Sequence, residues 1–241
     1  MHIQILGSGG YYPNDRRHTA CLYLPEIDLV LDAGSGFYRI PPRLHSNSLQ
    51  ICLTHAHLDH VIGLTYLLVP LAIGQLHDVT VRGTRETLAA VREHLFAERL
   101  FPVEPRLRYE ELSRREVISS PEWTLTHQRL QSHPSGSVAY RLDLSPAAGR
   151  PARSMAYVTD TMVDGTYTEF IRGVDLLLHE CNFNDDMADW CERTGHSHTS
   201  KVAQLAEEAQ VGRLVLLHLD PLLTGDDPVG LPTARRIFPN T

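Results

Sequence analysis

Cysteine is scarce in this chain: Cys21, Cys52, Cys181 and Cys191 are the only four in 241 residues, and no two form a Cys-x-x-Cys pair. That argues against a disulfide framework and a cysteine zinc knuckle, and leaves buried free thiols. Basic charge is also short, with 22 Lys and Arg against 29 Asp and Glu for a net charge of −7. A balance of that sign counts against a surface dedicated to large polyanions, and Arg16-Arg17, Arg114-Arg115 and Arg235-Arg236 read as solvated pairs. No apolar run approaches the roughly 18 residues that a membrane span needs. Met1 to Leu6 enters an apolar strand with no basic start and no cleavable apolar region, so the expectation is a soluble, cytoplasmic protein without a membrane partner. Linkers and low-complexity tracts are missing too, and residues 1–241 read as a single domain.

What is present is a regular succession of short apolar runs. Residues 2–6, 19–24, 28–32 and 49–53 are separated by Gly, Pro and Asn clusters and predict strands joined by turns. After His60 the period changes, first at Val61, Ile62, Leu64, Leu67 and Leu68 and then over Thr84–Arg99, which predicts two helices. A second series of strands is expected at 79–82, 115–118, 123–130, 137–143, 154–159, 174–179 and 213–218. A helix over 198–210, carrying Val202, Ala203, Leu205, Ala206 and Ala209, lies between the last two. The patch 145–151 reads as a hairpin loop, and the tail from Pro221 to Thr241 as irregular. Strands with helices between them give an α/β layered architecture.

Three imidazoles and a carboxylate crowd into Thr54-His55-Ala56-His57-Leu58-Asp59-His60, directly after the apolar strand at 49–53. Side chains converge where a chain leaves a sheet, and imidazole nitrogen with carboxylate oxygen suits zinc in an open, catalytic site. The bland alternative is a polar loop with surface histidines.

The pattern His55-x-His57-x-Asp59-His60 resembles the signature of the metallo-β-lactamase superfamily, whose fold is a four-layered αβ/βα sandwich. The resemblance implies a third histidine after a mid-chain strand, which His133 in Leu130-Gln131-Ser132-His133-Pro134 supplies. It also implies a bridging carboxylate at a strand end, Asp160, and a last histidine ending a late strand, His218. The implied centre holds one zinc on His55, His57 and His133 and another on Asp59, His60 and His218, with Asp160 between them; manganese or iron fits the same donors. Two such metals share a hydroxide and clamp the group it attacks, the logic of phosphate ester hydrolysis.

Further motifs resemble the ribonuclease Z-like branch. Leu6-Gly7-Ser8-Gly9-Gly10, Pro13, Arg17 and Leu31-Asp32-Ala33-Gly34 match its amino-terminal strands, with Asp32 expected to support a ligand. His179-Glu180-Cys181-Asn182 and Gly195-His196-Ser197-His198 look like the family's glutamate and histidine near the leaving group. Glu180 and His196 are therefore the catalytic candidates together with Asp59, a protonated imidazole being suited to assist a departing alkoxide. The alternative for His196 is a capping role at the helix that follows. His198 stands where the branch usually has threonine and is a candidate substrate contact, the alternative being a plain place in the first turn of the helix that follows. The inserted arm that grips transfer RNA in this family has no counterpart here, since 99–120 is short and mixed in charge.

The expected activity is hydrolysis of a phosphodiester by a metal-bound hydroxide, with a small, cyclic or nucleotide substrate. Alternatives are a tRNA 3′-processing endoribonuclease acting on RNA, or a hydrolase of a thioester, lactone or β-lactam on the same fold. A flavodiiron-type protein would need a flavin domain for which 241 residues leave no room. A non-catalytic, zinc-stabilised module is the last alternative. The resemblance is also compatible with a homodimer.

Overall fold

Runs rich in leucine and valine, polar at the turns, become strands that are buried along their length where they are central: Cys21–Leu24 and Leu29–Leu31 have every residue buried. The computed structural model describes residues 1–113, 115–147 and 151–241, and the chain divides into two compact units, Met1–Ser113 and Arg114–Thr241.

The first unit carries a six-stranded sheet in sequence order, of β1 (Gln4–Gly7), β2 (Cys21–Leu24), β3 (Leu29–Leu31), β4 (Ser48–Cys52), β5 (Asp78–Gly83) and β6 (Arg108–Glu111). The first three strands pair antiparallel, and β3 to β6 run parallel. The expected helix directly after His60 is broken into α1 (Leu58–Val61), a 3₁₀ segment Ile62–Leu67 and α2 (Leu68–Ala72), whereas the expected helix over 84–99 forms as α3 (Arg85–Ala90) and continues as a π turn over Val91–Leu95. Close packing explains the break, because a Cβ on Gly63 would overlap Phe37 and the carbonyls of Ala33 and Gly34. Strand β6 escaped the sequence reading because it is charged. Its Arg108 and Glu110 pair with Asp78 and Arg82 at 3.3 and 2.6 Å, the dressing of an edge strand.

The second unit has a six-stranded sheet built from β7 (Glu116–Ser119), β8 (Trp123–Leu130), β9 (Ser137–Leu144), β10 (Arg153–Val158), β11 (Leu176–Glu180) and β12 (Leu214–Leu217). Strands β7 to β10 are antiparallel and β10 to β12 parallel. Its helices are α4 (Thr168–Ile171), α5 (Ala188–Thr194), α6 (Thr199–Glu208) and α7 (Leu231–Ile237). Helix α6 buries Val202, Leu205 and Ala206 in one core with Ala156, Val158 and Leu177 of the sheet. Val202 and Leu205 of that stripe each contribute about 1.5–3 kcal/mol by their burial.

Helix α7 corrects the expectation of an irregular tail. Pro232 reads as a breaker, yet in the first helical turn its missing N–H costs nothing. Ala234 is buried, and the amide of Leu214 donates to the carbonyl of Asn240 at 2.9 Å, which ties the tail to β12. The four cysteines are free and buried, as expected; burial pushes the Cys52 thiol up to about 12, so it is no nucleophile. Of the arginine pairs, Arg16, Arg115, Arg235 and Arg236 are exposed and Arg17 is half-buried. Arg114 lies outside the described residues, as do residues 148–150 of the expected hairpin loop, whose flanking strands pair antiparallel.

Candidate functional site

In both units several candidate residues leave the carboxyl ends of parallel strands, the position where open α/β sheets bind ligands, while His133 follows the antiparallel β8 and His196 lies between α5 and α6. In the first unit Leu31 of β3 stands opposite Cys52 of β4, so the chain leaves both strands side by side, at Asp32 and at the 53–60 loop. Asp32 is fully buried with φ 60°, a left-handed conformation that costs energy unless its surroundings impose it. Its carboxylate accepts the Thr54 amide at 2.8 Å, the Thr54 hydroxyl at 2.9 Å and His60 Nδ1 at 2.8 Å. A carboxylate only accepts, so His60 carries its proton on Nδ1 and keeps a lone pair on Nε2, the tautomer that a metal requires. Asp32 therefore supports a candidate ligand as the sequence suggested.

Around it the loop gathers its other imidazoles. His55 lies with its ring centroid 4.4 Å from that of His57 and 4.2 Å from that of His60. Asp59 Oδ2 is 3.3 Å from His60 Nε2, and the same oxygen accepts the backbone amide of Tyr11 at 2.8 Å. His55 and His60 are buried and His57 is exposed.

In the second unit Val158 of β10 stands opposite His179 of β11, and Glu180 opposite Leu217 of β12. Asp160, Glu180 and His218 thus emerge along one edge, and Asp160 and His218 take φ values of 51° and 52°. Asp160 Oδ1 lies 3.7 Å from His133 Nε2, and its Oδ2 lies 3.4 Å from His218 Nε2. His133 turns its Nδ1 to the carbonyl of Gly195 at 3.3 Å. Gly195, at φ 74°, ends α5 where any Cβ would strike His133 and the Ser132 carbonyl, and the chain then delivers His196. That ring stacks on His218 with centroids 5.3 Å apart.

Glu180 is wholly buried and fully engaged. Its oxygens accept His196 Nδ1 at 3.1 Å, the Thr161 amide at 2.9 Å and the amides of Asn182 and Ser197 at 3.2 Å. Burial works to raise its pKa, but the charge and hydrogen bond of His196, with His218 behind, hold it below the usual glutamate value. The carboxylate stays ionised and fixes the proton of His196 on Nδ1. One donor atom each from His133, Asp160 and His196 lies within 4.8 Å of the others, as do those from Glu180, His196 and His218. Buried imidazole nitrogens and carboxylate oxygens at that spacing fit a divalent cation, and the donor set is that of zinc, manganese or iron.

His198 stands apart. Among the described residues its side-chain partner is Asp185, whose Oδ1 accepts its Nδ1 at 2.8 Å, and Asp185 also takes the Ser200 amide at 2.8 Å as α6 begins. Neither Asp185 nor the Tyr11 amide was legible in the sequence, because a backbone donor from a distant loop leaves no residue-type signal.

A buried pair supports β11 from its other side. His179 Nδ1 donates to the Glu180 carbonyl at 2.6 Å, which leaves Nε2 to accept the Tyr167 hydroxyl at 2.8 Å. Burial lowers the pKa of His179 and raises that of Tyr167, so both are neutral. Tyr167→Phe leaves a buried acceptor without its donor, and urea unfolding should show a loss of about 1–3 kcal/mol. An unchanged midpoint would mean that the bond contributes nothing.

A family model described as the beta-lactamase superfamily domain matches residues 28–219. The chain belongs to that superfamily. Its fold is the metallo-β-lactamase αβ/βα fold: a metallo-beta-lactamase fold protein, YhfI from Bacillus subtilis, superposes with a TM-score of 0.77 at 21% identity, over 99% of this chain and 93% of that one. Human tRNase Z, short form, superposes at 0.73 with 20% identity, over 92% and 94%. A ribonuclease Z from Methanosarcina mazei is 25% identical across the whole chain and 94% of its own length. That alignment runs over 292 residues against the 241 of this superfamily member, so the relative carries segments with no counterpart here.

Proposed function

We propose that this chain is a two-metal phosphodiesterase of the ribonuclease Z-like branch, acting on a small, cyclic or nucleotide phosphodiester. The observation that carries this reading is the ionised Glu180 holding His196 beside Asp160 and His218. In the proposed centre His55, His57 and His133 would hold one metal and Asp59, His60 and His218 the other, with Asp160 as a further ligand. Donor chemistry and family membership support that assignment, with zinc the metal that best suits the set. The family model crosses the boundary between the two units, which supports a single functional domain.

When bound, the metals supply Lewis acidity and lower the pKa of a water. Asp59, steadied through Oδ2 by the Tyr11 amide, orients the attacking water toward phosphorus. As the new P–O bond forms, the bond to the leaving oxygen breaks and an alkoxide departs. His196, protonated and fixed at Nδ1 by Glu180, delivers a proton from Nε2 to that oxygen. His198, held by Asp185, contacts the substrate phosphate.

No helix among the described residues is long and apolar enough to cross a membrane, and four unpaired cysteines fit a reducing compartment; we place the protein in the cytoplasm, as a homodimer on the family resemblance. The relatives named ribonuclease Z favour a second reading, tRNA 3′ processing. The segments this chain lacks relative to the M. mazei protein favour the smaller substrate.

Turnover of bis(p-nitrophenyl) phosphate, a 2′,3′-cyclic nucleotide and a precursor tRNA by the metal-loaded protein separates the readings. The first two should be hydrolysed with higher kcat/KM than the third. Preference for the tRNA establishes the second reading, and no reaction with any of them defeats both.

A further inference from the structure

Tyr11 is an anomaly that the fold does not explain. Its side chain is 77% exposed, so burial gains nothing from it, and its φ of 57° is a conformation that a bulky residue adopts only under constraint. The constraint is visible. The loop closes through Gly9 N to His18 O at 2.9 Å, Tyr12 N to Gly10 O at 2.7 Å and the Arg17 amide on Asn14 Oδ1 at 2.9 Å. From that frame the Tyr11 amide reaches Asp59 Oδ2 at 2.8 Å. The backbone of Tyr11 is therefore one hydrogen bond from a proposed metal ligand, while its ring is presented to solvent.

Tyr12 steadies the ring. The two centroids are 5.2 Å apart with planes at 66°, an edge-to-face contact that supports one ring by the other and leaves Tyr12 itself only 38% exposed. Leu58, directly before Asp59 in the loop, is 67% exposed and adds apolar surface to the same loop. An exposed aromatic face beside the residue that orients the attacking water suits a nucleotide's base. A nucleotide's base sits one ribose away from its phosphorus, and the tyrosine ring sits one side-chain length away from the amide that holds Asp59.

We propose that Tyr11 is a stacking platform for the nucleobase of the substrate, which makes this enzyme a nucleotide phosphodiesterase. The proposal rests on the phosphodiesterase reading and narrows it from phosphodiesters in general to those that carry a base. Stacking uses the π face that all bases share, so it selects for a base without selecting which one. The excess of acidic residues, 29 against 22 basic, fits a ligand gripped by its base and single phosphate in preference to a long polyanion.

Calorimetric binding to the metal-loaded protein tests this without turnover. Adenosine 5′-monophosphate should bind about tenfold more tightly than ribose 5-phosphate, the lower part of the range for one stacked base. Tyr11→Ala should erase that preference and leave ribose 5-phosphate binding unchanged, whereas Tyr11→Phe should keep it. Equal binding of the two ligands by the unmodified protein, binding of neither, or a preference that survives Tyr11→Ala overturns the proposal. Failure of the phosphodiesterase reading shows separately, as absent hydrolysis of bis(p-nitrophenyl) phosphate with the base preference intact.

Discussion

Replacing His196 with alanine should lower kcat for phosphodiester hydrolysis by about 10²–10⁴-fold, the usual contribution of a positioned general acid, with metal content unchanged. The argument starts at Glu180, which is wholly buried and accepts four hydrogen bonds, one of them from His196 Nδ1. An ionised carboxylate there stabilises the imidazolium and prevents the ring from turning, so the other nitrogen is committed to the reacting oxygen. Because the two groups act as a unit, Glu180→Gln combined with His196→Ala should cost little beyond His196→Ala alone. The alkaline limb of the pH–rate profile should flatten in the variant, since that limb reports loss of the donated proton. Metal analysis makes the test sharp. His196 also lies within 4.8 Å of donors from His133 and Asp160, so a variant that loses a metal would reassign the imidazole as a ligand, and an unchanged kcat would remove it from the mechanism.

Asp32→Asn should weaken metal binding about 10–100-fold, the range for partners that orient metal-bound histidines. Asparagine tolerates the left-handed φ of 60°, so the backbone is spared and only the chemistry changes. An amide in place of the carboxylate must turn its NH₂ toward either the Thr54 donors or His60 Nδ1, all of which bond Asp32 at 2.8–3.0 Å. If it faces His60, the imidazole moves its proton to Nε2 and loses the lone pair that a metal needs. If it faces Thr54, a buried N–H is left unsatisfied at a cost of about 1–3 kcal/mol. Competition with a chromophoric chelator measures the first effect and urea unfolding the second. Wild-type affinity together with wild-type stability would show that Asp32 does not set the tautomer.

Much of the architecture was legible because strand and helix periods survive in short windows. Residues 123–130 form β8 as expected, and the stripe from Val202 to Ala209 predicts α6 within two residues at either end. Where the reading failed, a local signal was ambiguous. Pro232 is a breaker in the middle of a helix and harmless at its start, and β6 is charged because it lies at a sheet edge. The helix directly after His60 is broken at a close approach of Gly63 that no window of sequence reveals.

Sequence by itself supplied the candidate donor set and where along the chain each candidate would fall. His55, His57, Asp59 and His60 crowd one loop, and His133, Asp160 and His218 each follow an apolar run, because ligands are held best where strands end. Only the tertiary structure decided how those donors are held. Asp32 selects the tautomer of His60, the Tyr11 amide takes one oxygen of Asp59, and His196, with His218 behind it, keeps Glu180 ionised against its burial. His198 adjoins the catalytic motif in sequence yet pairs with Asp185. The physical reason is common to all four cases: hydrogen bonds between distant segments depend on register and backbone conformation, which residue type does not encode.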